Sequence, residues 1–224
     1  MPGSIKIDDG SGNYTILTNA GSLGSDKTIT IPNETATLAT TTASNLGGLV
    51  LLQTGTASNS SELLFDDFVD LSTYASYFIS VSRIKSQNDN VELRFAFRQG
   101  GSSGSDLTGT YAQGGVYYYG DTTTSGAIFG NSSNTDYHVY DNSNGNASAE
   151  AMVGEGYLYP ATGSTSDNVT IFTHTGAKQM FNDEMRFMQR TTFKEDVTAV
   201  TGIRFYYQTG DIVSGTIRIY GVKS

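Results

Sequence analysis

From residue 49 onward the chain alternates. Val91-Glu92-Leu93-Arg94-Phe95-Ala96-Phe97-Arg98 puts Val91, Leu93, Phe95 and Phe97 on one side and Glu92, Arg94 and Arg98 on the other, the period of a half-buried strand. Tyr77–Ile84 repeats the pattern across the turn Ser86–Asn90. Leu49–Gln53 is a short apolar run and reads as a buried strand. Further strands are predicted over Glu62–Phe65, Thr110–Tyr119, Ala127–Phe129, Tyr137–Tyr140, Ala149–Tyr159, Val169–His174, Met185–Phe193, Val200–Tyr207 and Thr216–Tyr220. No stretch carries the helical period. About ten strands between turn-rich segments predict an all-β chain built on an antiparallel β-sandwich of jelly-roll-like type.

Residues 1–45 differ from the rest. Their longer apolar side chains are isolated, and short strands are expected at Tyr14–Thr18, Thr28–Ile31 and Thr35–Ala39, with turns at Asp8–Asn13 and Gly21–Gly24. So short a segment with so few apolar groups cannot build a core of its own. Burial of Ile5, Ile7, Ile16, Ile29, Ile31 and Leu38 against other copies, three chains about a threefold axis, would solve that. The small, polar stretch Thr41–Gly48 reads as a linker. The expected organisation is thus a fibrous β segment for trimerisation and attachment over 1–45, then a sandwich over 46–224.

Charge narrows the partners. The chain carries 13 Lys and Arg against 22 Asp and Glu, a net charge of −9, with no basic run to neutralise phosphates, so nucleic-acid binding is not expected. There is no cysteine, hence neither disulfide framework nor thiolate metal site. No apolar run approaches the ~20 residues of a membrane helix, and no cleavable signal is visible at Met1–Lys6. Membrane insertion is therefore not expected, and assembly in a cytoplasm is.

Candidate chemistry is sparse. Gly100-Gly101-Ser102-Ser103-Gly104 matches the spacing of a nucleophile elbow, but that device needs a strand before it and a helix after it, and here it lies in a Gly/Ser loop. The two histidines, His138 and His174, form no ligand pair and read as ordinary strand positions. Asp8, Asp9 and Asn13 lack the spacing of a calcium loop, and Glu62, Asp66, Asp67 and Asp70 read as a solvated acidic turn. Glu150 and Glu155 lie near Tyr157 and Tyr159 in sequence; a carboxylate pair for glycoside hydrolysis and edge-strand solubility both fit them. No catalytic residue, cofactor or metal is expected. The one aromatic concentration, Tyr117-Tyr118-Tyr119 with Tyr111, Tyr137 and Tyr140, is either core filling with sheet cover or a surface that contacts sugar or protein.

Two stretches carry a resemblance. Thr28-Ile29-Thr30-Ile31-Pro32-Asn33-Glu34-Thr35-Ala36-Thr37-Leu38-Ala39-Thr40 resembles the T-L-T-L-P-N-x-T-G-T-L-A-T element of bacteriophage fibre proteins, with Ala36 where the family often has Gly. Val200–Tyr207 and the ending Ser214-Gly215-Thr216-Ile217-Arg218-Ile219-Tyr220-Gly221-Val222-Lys223 are similar to the closing strands of phage virion domains. The resemblance implies a homotrimeric, non-enzymatic virion component with a short attachment shaft and a distal β-sandwich. On this reading the N-terminal segment binds the major capsid protein or another virion protein, as in a capsid-decoration, cement or head-fibre protein. Little chain precedes the fibre-like element, which tips the expectation toward the capsid. The alternative is a tail-fibre or receptor-binding protein whose lectin-like domain contacts host glycan.

Overall fold

The computed structural model describes residues 4–8, 14–18, 48–120, 127–135, 138–147, 149–165, 168–179, 185–196 and 198–223. The chain divides into two compact units, Met1–Ala43 and Ser44–Ser224. In the first, β1 (Ser4–Asp8) and β2 (Tyr14–Thr18) form an antiparallel hairpin. β1 was not expected from the sequence, where Ile5 and Ile7 stand alone.

The second unit is an all-β sandwich of two antiparallel sheets. Its strands are β3 (Leu49–Ser60), β4 (Leu63–Phe65), β5 (Tyr74–Ser86), β6 (Val91–Gln99), β7 (Ser105–Asp106), β8 (Thr110–Tyr119), β9 (Ala127–Thr135), β10 (His138–Asn144), β11 (Met152–Tyr159), β12 (Val169–Gln179), β13 (Met185–Glu195), β14 (Gly202–Tyr207) and β15 (Ile212–Lys223). The larger sheet runs β3-β15-β5-β11-β12-β13-β8-β9. The smaller runs β10-β6-β14-β4, with β7 added to β6. The pairings β3 with β15 and β4 with β14 are nested, as a long folded-over hairpin would give. β12, β13, β8 and β9 extend the larger sheet, and β12 and β8 still reach the smaller one through Phe172 against Phe95 and Tyr111 against Phe97.

Alternation decides which side chains meet between the sheets. Leu93, Phe95 and Phe97 from β6 and Ile203 and Phe205 from β14 are fully buried against Ile79, Ile217, Ile219, Leu158 and Phe172 of the larger sheet. Phe95 lies at the centre, with ring centroids 5.1 Å from Phe172, 5.5 Å from Phe97 and 6.2 Å from Phe205. Tyr77 is also buried, which pushes its hydroxyl up from its ordinary range, and its oxygen accepts the Asp70 N–H.

Two sequence expectations change here. The Tyr77–Ile84 alternation is not continuous: Arg83 takes φ 53° and shifts the register, so that Ile79, Val81 and then Ile84 all point inward. Opposite this bulge a side chain on Gly215 (φ 118°) would sit 2.5 Å from the Arg83 carbonyl oxygen. The run Leu49–Gln53 is not a buried strand either. It opens β3, an edge strand, and Leu49 and Leu51 are 49% and 53% exposed.

Candidate functional site

The outer side of the smaller sheet is held by ions. Arg98 on β6 is buried; its Nε donates to Asp66 (2.6 Å) and its Nη1 to Asp106 (3.0 Å), and Nη2 reaches the Gly104 carbonyl (2.7 Å). The bond to Asp66 holds the guanidinium above its ordinary range. Arg204 on β14 continues the network to Glu62 (3.0 Å) and to Asp106, and its guanidinium lies 4.1 Å from the Tyr206 ring centroid. The acidic stretch expected to be a solvated turn therefore divides. Asp66 neutralises Arg98, which alternation had placed on that face, Glu62 neutralises Arg204, Asp67 accepts the Ser102 N–H, and Asp70 caps its own turn. The Ser72 hydroxyl bonded to Asp70 holds that carboxyl below its usual range.

The larger sheet is unusual in what it shows to solvent. Along β13 the inward residues are Arg186, Met188, Arg190, Thr192 and Lys194, all buried, while Met185, Phe187, Gln189 and Phe193 face out. Ordinary amphipathic patterning would give the reverse. The cause lies in the neighbours. Beyond the aromatic core the inner face is polar, and cations settle on rings there: Arg186 at 5.6 Å from Tyr117 and Lys194 at 5.6 Å from Tyr111. Lys194 also pairs with Asp196 at 2.9 Å. Burial pushes the Asp196 carboxyl up, but the bonds from Lys194 and from the Thr198 N–H outweigh it and leave Asp196 below its usual range.

The outward residues form continuous rows across the strands. One row is Tyr159, Ile171, Phe193, Ala112; another is Leu51, Tyr220, Phe78, Tyr157, Thr173, Thr191; a third ends Ala177, Phe187, Tyr118. Tyr118, Phe187, Phe193, Tyr157 and Tyr159 are each more than two-fifths exposed. Phe78 bridges Tyr157 and Tyr220, with centroids at 5.3 and 6.0 Å. Between the apolar rows the face is hydroxylated, and Thr173 and Thr191 touch through their oxygens at 3.1 Å. Two concavities open on it: one of about 560 Å³ beside Ala112, Val169 and Phe193, and one of about 360 Å³ walled by Val153, Glu155 and Phe187.

The tyrosine triplet does not share a face. Tyr117 and Tyr119 lie on the inner side of β8, in ring contact at 5.3 Å, and only Tyr118 joins the outer rows. Tyr111 and Tyr140 are buried in the core, and Tyr137 lies outside the described residues. Glu150 is buried, its carboxylate accepting the Ala147 N–H, whereas Glu155 stands on the outer face, so the two carboxylates are not brought together. Nor is Glu155 on an edge strand, since β11 is flanked by β5 and β12. Ser102 sits in a single 3-10 turn, Gly101–Ser103. His174 is buried, stacked on Tyr140 at 4.2 Å and Phe172 at 4.9 Å; His138 begins β10. Among the described residues no group of three or more His, Cys, Asp or Glu could hold a metal ion, and no helix is long and apolar enough to cross a membrane.

In the N-terminal hairpin Ile5 pairs with Leu17, Lys6 with Ile16, and Ile7 with Thr15. Ile29, Ile31 and Leu38 lie outside the described residues, as do the expected strands Thr28–Ile31 and Thr35–Ala39. The outward rows were missed in the sequence because the more apolar phase of β13, Met185, Phe187 and Phe193, faces out, the reverse of ordinary patterning. The available signal was that one phase holds every cation of the strand.

Comparison of the chain with protein-family models, with curated proteins and with solved structures finds no match.

Proposed function

We propose that this protein is a non-enzymatic structural component of a bacteriophage virion, assembled in the host cytoplasm. On this reading it is a homotrimeric capsid-decoration, cement or head-fibre protein, with residues 1–45 attaching to the major capsid protein or a neighbouring virion protein. The observation that carries the reading is the fibre-like element Thr28–Thr40, standing between a β-hairpin and a separate all-β sandwich. Strand order supports taking the sandwich as a jelly roll. Stripped of the inserted β7–β9 and β12–β13, the sheets reduce to β3-β15-β5-β11 and β4-β14-β6-β10, the nested order that wrapping one long hairpin produces.

A decoration protein stabilises the assembled shell by binding it, through mass action. Particles lacking this protein should lose resistance to heat or osmotic shock while adsorbing to cells nearly as before, and adding back purified protein should restore resistance. Unchanged particle stability with a large fall in adsorption would instead favour a tail-fibre or receptor-binding protein with a lectin-like domain. That second reading draws on Tyr118, Phe187 and Phe193, exposed rings beside hydroxyl groups, the chemistry on which a sugar stacks.

A further inference from the structure

We infer that the outer face of the larger sheet is where copies of this chain pack against one another; the inference rests on the trimer proposed above and assigns its contact surface in the sandwich. Soluble monomers rarely expose a contiguous apolar patch of more than a few hundred Å². Here apolar rows interleaved with hydroxylated positions make a face seven strands wide, one row starting at Leu51 on β3 and reaching Thr191 on β13, another ending at Tyr118 on β8. At about 4.8 Å per strand and about 20 Å along each strand it covers roughly 600–700 Å². That approaches the ~800 Å² per partner of a stable interface.

Charge selects a second copy as the occupant. Each chain carries a net charge of −9, so copies repel unless they meet on neutral ground. Between β15 and β8 this face bears Arg218 and Glu155 on one row, with Arg83 and Lys85 at one end of the strands and Glu195 at the other, so that both signs are present and no large net charge stands on it. The adjoining stretch Leu46–Ser61 has no charged residue at all. β3 also lacks the lysines and prolines with which a solvent-facing edge strand is normally blunted. Chain continuity adds a third argument. Any assembly made by residues 1–45 tethers the start of β3 in each copy, and a short tether raises the effective concentration of the sandwiches to about the millimolar range. In a closed threefold ring the contact is heterologous, so the β3 side of one face meets the β8 side of the next.

The absence of cysteine makes the test clean. In the full-length protein, single substitutions Tyr118→Cys and Phe187→Cys are reacted with a maleimide, with Leu71→Cys as an exposed control. Native mass measurement of each variant and of the wild type runs in parallel. The expected result is a trimeric mass, with both face positions labelled at least about tenfold more slowly than the control, equivalent to about 1.4 kcal/mol of protection. A trimeric mass with face positions labelled as fast as Leu71→Cys overturns this inference and leaves the trimer standing. A monomeric mass overturns both. Labelling that is fast in the free protein but slow on particles overturns the inference in favour of the shell as occupant; slowing caused only by a neutral polysaccharide overturns it in favour of glycan.

Discussion

At the residue scale, stability rests on a few groups with no slack. Phe95 is fully buried among the rings of Phe97, Tyr140, Phe172 and Phe205, so Phe95→Ala removes an aromatic from a site with no side chain free to fill it. The expected loss is about 3–5 kcal/mol in urea unfolding. Arg98→Leu tests the ion network: with its guanidinium gone, Asp66 loses its arginine and Asp106 keeps only Arg204, in a largely buried setting, and the cost should be about 3 kcal/mol. A loss under about 0.5 kcal/mol would show that the network contributes nothing net. Asp196 sets a pH dependence. Its folded value is depressed, so its contribution is present above the ordinary carboxylate value of about 3.9 and is lost as the pH falls through the folded value. Asp196→Asn should therefore lower stability at neutral pH and flatten the decline below about pH 4; parallel stability curves for the two proteins would exclude this. The residue scale was also the least legible in the sequence. Asp66 meets Arg98 across 32 residues and Glu62 meets Arg204 across 142, separations at which spacing carries no signal.

At the element scale the sequence said more. Alternation located β6 almost to the residue, because it has one clearly apolar phase ending in a glycine- and serine-rich turn, and β8 stood out as a tyrosine-rich run between glycine-bearing loops. It failed where the phase breaks or is ambiguous. In β5 the bulge at Arg83 shifts the pattern by one residue, a change that hydrophobicity cannot distinguish from a second inward phase. In Leu49–Gln53 consecutive apolar residues hide which two face out. In β13 the buried phase is the cationic one, since it faces tyrosines rather than the aromatic core. Gly215 tests the bulge: Gly215→Ala forces a Cβ toward the Arg83 carbonyl at a φ that L-residues rarely adopt. Thermal or urea unfolding should show a loss of about 1–3 kcal/mol, and a neutral outcome would mean that the paired strands slide without cost.

At the scale of the whole molecule, the break in composition near residue 45 lies close to the division into units 1–43 and 44–224. The sandwich holds its own aromatic core, so a truncated chain beginning at Gly48 should be soluble, rich in β-structure and melt in one cooperative transition, yet fail to bind particles. Normal particle binding by that chain would reverse the proposed division of labour. What the sequence could not supply was the apolar outer face, because it emerges only when β11, β12, β13 and β8 lie side by side in register. The position proposed for this protein is the outside of a virus head. The most direct measurement is electron microscopy of purified virions decorated with an antibody to this chain. The account predicts regular labelling over the capsid surface; particles that carry no label would contradict it.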